Sequence, residues 1–60
     1  SLEGTPIKDL KEEGKMNVIA IERQGHSIFP LDDTICEYND MIYFVIRKDY
    51  LNQAREKLQL

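Results

Sequence analysis

Two apolar runs on either side of Gln24-Gly25 limit what this chain can fold into more than any other feature. The stretch NVIAIERQGHSIFP extends from Asn17 to Pro30. Glycine at the second position of a two-residue turn tolerates positive φ, which a tight β-hairpin requires. Pro30 ends the returning strand because proline has no N–H to donate to a ladder. The sequence therefore predicts a β-hairpin centred on Gln24-Gly25.

A later stretch, MIYFVIR (Met41–Arg47), predicts a further strand. It is almost wholly apolar and rich in β-branched and aromatic residues, which is typical of a strand buried on both faces. In the first hairpin strand, simple alternation places Val18 and Ala20 on one face and Ile19 and Ile21 on the other. Both faces of the predicted sheet therefore carry apolar side chains.

Short helices are predicted near the two ends of the chain. In TPIKDLKEEG, Thr5 is a suitable N-cap, Pro6 suits the first helical position and Gly14 suits a left-handed helix end. In KDYLNQAREKLQL, three apolar residues share one face of a helix that Asp49 can cap. These residues are Leu51, Ala54 and Leu58.

The predicted element order is helix, hairpin, one or two further strands, helix. This order gives an α+β domain with a small antiparallel sheet of three to four strands, and residues 1–60 form a single domain. Asn39 is expected to adopt the left-handed conformation in the turn before the apolar strand. Cys36, the single cysteine, excludes an intramolecular disulfide and is expected to be a small buried or half-buried side chain.

Charge and composition exclude several classes of protein. The net charge is −3 and no basic stripe is present, so nucleic acid is not an expected partner. No apolar run approaches the ~20 residues of a membrane span, and no signal peptide is visible. We therefore expect a soluble domain in a reducing compartment, which would act at a membrane only through another protein.

The apolar second face of the sheet predicts a partner. Two short helices can cover one face, and Ile42, Phe44 and Ile46 are expected to serve core or dimer packing. We expect a homodimer or an interface with a parent protein. The alternative is that the sheet curls and buries both of its faces within itself.

The order of the motifs resembles the C-terminal RCK domain, also called the TrkA-C domain. The corresponding pieces are GTPIKDL, NVIAIERQGHSIFP, LDDTI and YNDMIYFVI, which together cover Gly4–Ile46. Asn39 stands where the family usually has a glycine before Asp40, and asparagine is the next-best residue for a left-handed turn. The final RKDYLNQAREKLQL resembles the segment that leaves the first C-terminal module of TrkA-type potassium-uptake regulators.

The resemblance implies a cytoplasmic regulatory module of a Trk/Ktr-type potassium transport system, peripheral at the inner face of the cell membrane. Its implied partners are a second copy of itself, a neighbouring RCK N-terminal domain and, indirectly, the membrane potassium-transport subunit. The family binds NAD or ATP in that neighbouring domain. No G-x-G-x-x-G occurs here, so no cofactor is expected in this chain.

Other parents remain open for the same module. A cation/proton antiporter or a transcription regulator could carry it as a ligand sensor. A purely structural dimerisation module without a small ligand is a third reading.

The resemblance also suggests a ligand site. In some relatives a cyclic dinucleotide such as cyclic di-AMP binds between two C-modules. Here Arg23 could pair with a phosphate and His26 could donate a hydrogen bond or stack on a base, while Ile19 and Ile21 could line the pocket. The plainer alternative is that Arg23 pairs only with a nearby glutamate, Glu22 or Glu37.

Neither a metal site nor an active site is expected. Turn formation and capping explain the acidic residues more simply than a divalent cation does; these are Asp32, Asp33, Glu37 and Asp40. His26 and Ser27 are adjacent in a strand and so point to opposite faces, and spacing sets up no base–nucleophile pair. We therefore expect a protein that is not an enzyme.

Overall fold

The computed structural model describes residues 2–59 and shows an α+β fold, as predicted. Three strands form one antiparallel sheet in the order β2-β1-β3. The strands are β1 (Met16–Arg23), β2 (His26–Ile28) and β3 (Met41–Ile46); the helical segments are 3₁₀ helices at Ile7–Leu10 and Lys48–Tyr50, and α1 (Leu51–Leu58).

The hairpin forms where the sequence predicts it. Arg23 lies opposite His26 in the antiparallel register, so Gln24 and Gly25 alone make the turn. Both turn residues have positive φ, 51° at Gln24 and 79° at Gly25. Two successive left-handed residues match the right-handed twist of the flanking strands, which explains why so short a connection suffices.

A β-bulge in β1 changes which side chains face the core. Val18 and Ala20 lie opposite consecutive residues of β3, so Ile19 is an extra residue in β1. Val18 is 5% exposed and Ile21 is 1% exposed, whereas Ile19 is 60% exposed. The predicted grouping of Val18 with Ala20, and of Ile19 with Ile21, is therefore wrong, because simple alternation holds only in an unbulged strand.

The first helical segment is shorter than predicted. It is a single 3₁₀ helix, Ile7–Leu10, and not a helix that starts at Thr5 and ends at Gly14. The reason is tertiary, because the segment pairs with a later loop. The N–H of Ile7, for example, donates to the carbonyl of Thr34 at 2.9 Å.

Gly14 serves a different turn from the one predicted for it. Its φ is +72°, and it lies in the reversal between Glu12 and Met16, whose backbones exchange two hydrogen bonds of 2.9 Å. This reversal starts β1. Asn39 has a φ of 67°, which confirms the left-handed turn predicted before β3.

The C-terminal helix uses two of its three predicted core residues. Ala54 and Leu58 are buried, but Leu51 is 39% exposed. Asp49 does not cap α1, since no side-chain cap is present. It instead accepts two hydrogen bonds from Arg47, at 2.9 Å from Nε and 2.6 Å from Nη2.

One core cluster lies on the side of the sheet that faces the helical segments. It consists of Ile7, Leu10, Met16, Val18, Ile21, Cys36, Ala54 and Leu58. Cys36 is a free, buried thiol as predicted, and its burial raises the pKa of that thiol. Across residues 2–59, no helix has both the length and the apolar character needed to cross a bilayer.

Candidate functional site

Among residues 2–59 nothing covers the other face of the sheet, where β3 presents an apolar row of side chains. Met41, Tyr43 and Val45 point away from the core and are 55%, 45% and 54% exposed. We call these three residues, together with Ala20 opposite Tyr43, the outer face. The prediction that the strand is buried on both faces is wrong for the single chain, and the sheet does not curl to cover this surface.

The alternate residues of β3 lie on the core side. Ile42, Phe44 and Ile46 are half-buried and pack against the core cluster. These were the residues predicted for core or dimer packing. Their role in core packing is confirmed. Their role in a dimer interface stays a prediction, because the exposed residues of β3 are Met41, Tyr43 and Val45.

Arg23 is held at the C-terminal end of β1 by a bidentate ion pair. Its Nε donates to Asp40 Oδ1 at 2.9 Å and its Nη2 to Asp40 Oδ2 at 2.8 Å. Nη1 also donates to Glu37 Oε2 at 2.9 Å, and Nη2 to the carbonyl of Ile35 at 3.1 Å. The side chain of Asp40 is only 1% exposed and that of Arg23 21%, so the pair is largely shielded from water.

The pair shifts the ionisation of both partners in the direction that keeps them charged. The hydrogen bond from Arg23 lowers the pKa of Asp40, and burial of the carboxylate opposes this only in part. The hydrogen bond to Asp40 in turn raises the pKa of Arg23. Asp40 Oδ2 also accepts the N–H of Glu37 at 2.8 Å, so the loop before β3 is fastened to the end of β1.

These hydrogen bonds compete with the phosphate contact predicted for Arg23. The predicted alternative, a pair with Glu37, is present, and Asp40 is a second partner that sequence reasoning missed. Four donor contacts of the guanidinium are already made within the chain. A phosphate would have to displace a carboxylate, and ligand binding by Arg23 stays a prediction.

A groove of about 540 Å³ runs beside the bulge, between β1 and the residues that follow β2. Ile19, Ile21, Phe29 and Pro30 are among the residues that line it. Phe29 is 79% exposed, so the wall of the groove is apolar and open to solvent. A flat aromatic or apolar group could be received here.

The four residues predicted for ligand binding are not all brought together. Ile19 and Ile21 line the groove, but Ile21 is almost fully buried and contributes mainly to the core. Arg23 and His26 lie opposite each other in the hairpin register and are not part of the groove wall. His26 is exposed at the turn.

Sequence reasoning missed Asp40 as a partner of Arg23 because it assigned Asp40 to turn formation only. The available signal was local: Asn39 forces a left-handed turn, and that turn directs Asp40 back toward the Glu37 N–H. Among residues 2–59, no three His, Cys, Asp or Glu side chains group closely enough to hold a metal ion. Asp32 instead pairs with Lys11 at 2.7 Å, and this bond lowers the pKa of Asp32.

Comparison with known proteins identifies the family. A family model described as the TrkA-C domain matches residues 1–59. Neither the curated proteins nor the solved structures yield a match to this chain. TrkA-C domains are regulatory modules of the RCK/TrkA family and are not catalytic. The match spans nearly the whole sequence and agrees with the resemblance seen in the motifs, and the chain therefore belongs to the TrkA-C domain family.

Proposed function

We propose that this chain is the cytoplasmic regulatory module of a Trk/Ktr-type potassium transport system. It acts at the inner face of the cell membrane, where it gates a potassium-uptake subunit through packing against a second copy of itself. Family membership supports the regulatory role. The outer face supports the packing, because it is the surface that a second copy would cover.

The exposure pattern of β3 is the observation that carries this proposal. Met41, Tyr43 and Val45 are each about half exposed, and as alternate residues of β3 they lie on one face of the sheet. A chain of this size buries only about 60% of its unfolded surface, so little stability is available to compensate such exposure. Contiguous apolar surface on a small domain marks an interaction site.

The paired modules can gate the potassium-uptake subunit if they pack in two alternative arrangements, one of which favours the open channel. A neighbouring RCK N-terminal domain that binds NAD or ATP supplies one input, and the arrangement of the paired modules transmits it to the membrane subunit. A ligand shifts such an equilibrium only by its difference in affinity for the two arrangements. Coupling of about 1–3 kcal/mol, typical of allosteric proteins, is enough to change the open fraction of a channel several-fold.

A domain exchange tests the proposal. The chain replaces the corresponding module of a TrkA-type regulator in cells that need this regulator to grow at limiting potassium. We expect the hybrid to restore growth and the Tyr43→Lys hybrid to fail, because a charge on the outer face opposes packing. Leu31→Lys is the matched control: Leu31 is also apolar and 55% exposed, but it lies in a loop and is not part of the outer face. A hybrid no better than the regulator without any C-module would refute the proposal.

The groove beside the bulge favours a second candidate function, ligand sensing. In this reading the module belongs to a potassium system, a cation/proton antiporter or a transcription regulator, and cyclic di-AMP or a related nucleotide binds it. Ile19 is 60% exposed at the groove, where a base could stack against apolar side chains. Without such a ligand the module would serve dimerisation only.

Calorimetric titration of the chain with cyclic di-AMP separates these candidates. Saturable binding that Ile19→Lys abolishes and Leu31→Lys preserves would support the sensor. Arg23→Lys then reports whether the guanidinium contacts a phosphate, once circular dichroism shows that the variant is folded. Absence of binding heat at high ligand concentration would refute the sensor and leave the packing module.

A further inference from the structure

The sulfur-containing side chains of this chain differ sharply in exposure. The sequence holds two methionines and one cysteine, all within the described residues 2–59. Met16 and Cys36 belong to the core cluster and are 3% and 2% exposed, whereas Met41 is 55% exposed. An oxidant dissolved in water therefore reaches Met41 far more readily than it reaches the other two.

The chemistry of sulfur also favours Met41 over the cysteine. A thiol reacts with peroxide through its thiolate, and burial raises the pKa of Cys36, so little thiolate forms at neutral pH. A thioether needs no deprotonation, because a lone pair on its sulfur attacks the peroxide directly. Exposure then decides between the two methionines, and it favours Met41 over Met16.

Met41 lies on the surface that the proposed function assigns to the second copy. It is the first residue of β3 and shares the outer face with Tyr43 and Val45. Its opposite residue in β1 is Glu22, which is also exposed. A change of polarity at Met41 therefore alters the packing surface and leaves the core as it is.

We propose that Met41 is an oxidation site, at which hydrogen peroxide converts the thioether to a sulfoxide and so weakens the packing of a second copy on the outer face. The inference rests on the proposed function, because it concerns the regulation of that same surface. The sulfur lone pair attacks one peroxide oxygen and forms the S–O bond while the O–O bond breaks. The sulfur is oxidised by two electrons, and the other oxygen leaves as hydroxide, which takes the proton of the transferred oxygen and becomes water.

The sulfoxide opposes packing because it puts a polar group into an apolar contact. Its oxygen accepts hydrogen bonds from water in the separated chain, and a covering copy removes that water without a donor of its own in the apolar row. A symmetric dimer carries the change in both copies. We therefore expect oxidation of Met41 to weaken self-association at least about tenfold.

Packing and oxidation exclude each other at this position. A second copy that covers the outer face also covers Met41, so peroxide acts on separated chains. The sulfoxide then keeps those chains apart until a methionine sulfoxide reductase restores the thioether. At a fixed excess of peroxide, the oxidation rate of Met41 should therefore fall as the concentration of the chain rises.

Peptide mapping by mass spectrometry after treatment with hydrogen peroxide tests the selectivity. We expect Met41 to gain one oxygen at least about tenfold faster than Met16 or Cys36. Circular dichroism should show that the chain oxidised at Met41 stays folded, because this side chain is more than half exposed. Equal rates at Met41 and Met16 in the folded chain would overturn the inference and leave the proposed function standing.

Sedimentation velocity with two leucine variants tests the effect on packing. Leucine keeps nearly the volume and apolar character of methionine but has no sulfur. After peroxide treatment, the original chain and Met16→Leu should each self-associate at least about tenfold more weakly than before, whereas Met41→Leu should change less than about twofold. Met41→Gln carries a polar group without any oxidation and should be weak from the start. Treatment with a sulfoxide reductase should restore the oxidised original chain.

The possible outcomes separate this inference from the proposed function. An oxidised chain that self-associates as tightly as the untreated one overturns the inference alone. A loss of association that Met41→Leu does not prevent also overturns the inference alone, because another residue would then be responsible. An untreated chain that stays monomeric at millimolar concentration overturns both.

Discussion

Val18 and Ile21 both point into the core although they are three residues apart in the same strand. Val18 is 5% exposed and Ile21 1%, and the bulge at Ile19 is what puts them on one face. A bulge adds local twist and redirects side chains. Here it places the exposed Ile19 at the groove and returns Ile21 to the core.

The bulge predicts opposite outcomes for two isoleucines that plain alternation would treat alike. Ile21→Ala should lower the free energy of unfolding by about 2–5 kcal/mol, because it leaves a cavity in the core. Ile19→Ala should change it by less than about 0.5 kcal/mol, as expected for an exposed side chain. Urea denaturation of the two variants measures both values. Equal losses at the two positions would contradict the bulge.

Acid stability depends on the shielded Arg23–Asp40 pair. The pKa of Asp40 is lower in the folded chain than its ordinary value of 3.8. This pair therefore contributes fully above that value, and its contribution is lost as the pH falls through 3.8 toward the lower folded pKa. We expect Asp40→Asn to destabilise the chain at neutral pH and to flatten the decline below about pH 4.

The Arg47–Asp49 pair provides the control for this pH profile. It also lowers the pKa of its carboxyl, that of Asp49, but its side chains are 59% and 67% exposed. Exposed pairs contribute little to stability, so Asp49→Asn should leave the thermal unfolding profile between pH 2 and pH 7 almost unchanged. If Asp40→Asn and Asp49→Asn gave the same pH dependence of thermal unfolding, shielding of Asp40 from water would not increase its contribution to acid stability.

Phe44 and Tyr43 are neighbours in β3 with different expected consequences. Phe44→Asp places a charge among the half-buried residues that pack against the core and should abolish folding. Tyr43→Asp places it on the outer face and should leave the fold intact while weakening self-association. Circular dichroism reports the first effect and light scattering the second. A folded, dimeric Phe44→Asp chain would contradict the assignment of faces.

The hairpin turn offers a stabilising change. Gln24 adopts a φ of 51°, a conformation that costs most L-residues about 1–2 kcal/mol and costs asparagine less. Gln24→Asn creates the Asn-Gly pair preferred in this turn and should raise the free energy of unfolding by up to about 1 kcal/mol. Gln53→Asn, the same change inside α1, should lower it slightly because asparagine has the poorer helix propensity. A loss of stability in both variants would count against the left-handed turn.

Local chemistry accounts for the parts of the fold that could be predicted. Gln24-Gly25 and Asn39 specify their turns through the cost of positive φ, which depends on the residue itself. The bulge could not be predicted, since residues 18–21 (VIAI) are all apolar. No polar residue among them indicates which side chains face solvent. The prediction that Arg23, His26 and Ile19 bind one ligand together stays a prediction.

The sequence by itself determined the hairpin, the apolar strand β3, the C-terminal helix and the family, because turn preferences, apolar patterning and motif order are all properties of short segments. Only the tertiary structure decided which half of β3 is exposed, that Gly14 turns into β1 instead of ending a helix, and that Arg23 is fastened to Asp40. The exposure of β3 and the Arg23–Asp40 pair depend on contacts between segments distant along the chain, and the segment before Gly14 is drawn out of a longer helix by its pairing with the loop at Thr34. Such contacts are selected by packing and by the pairing of buried polar groups, which no local pattern records.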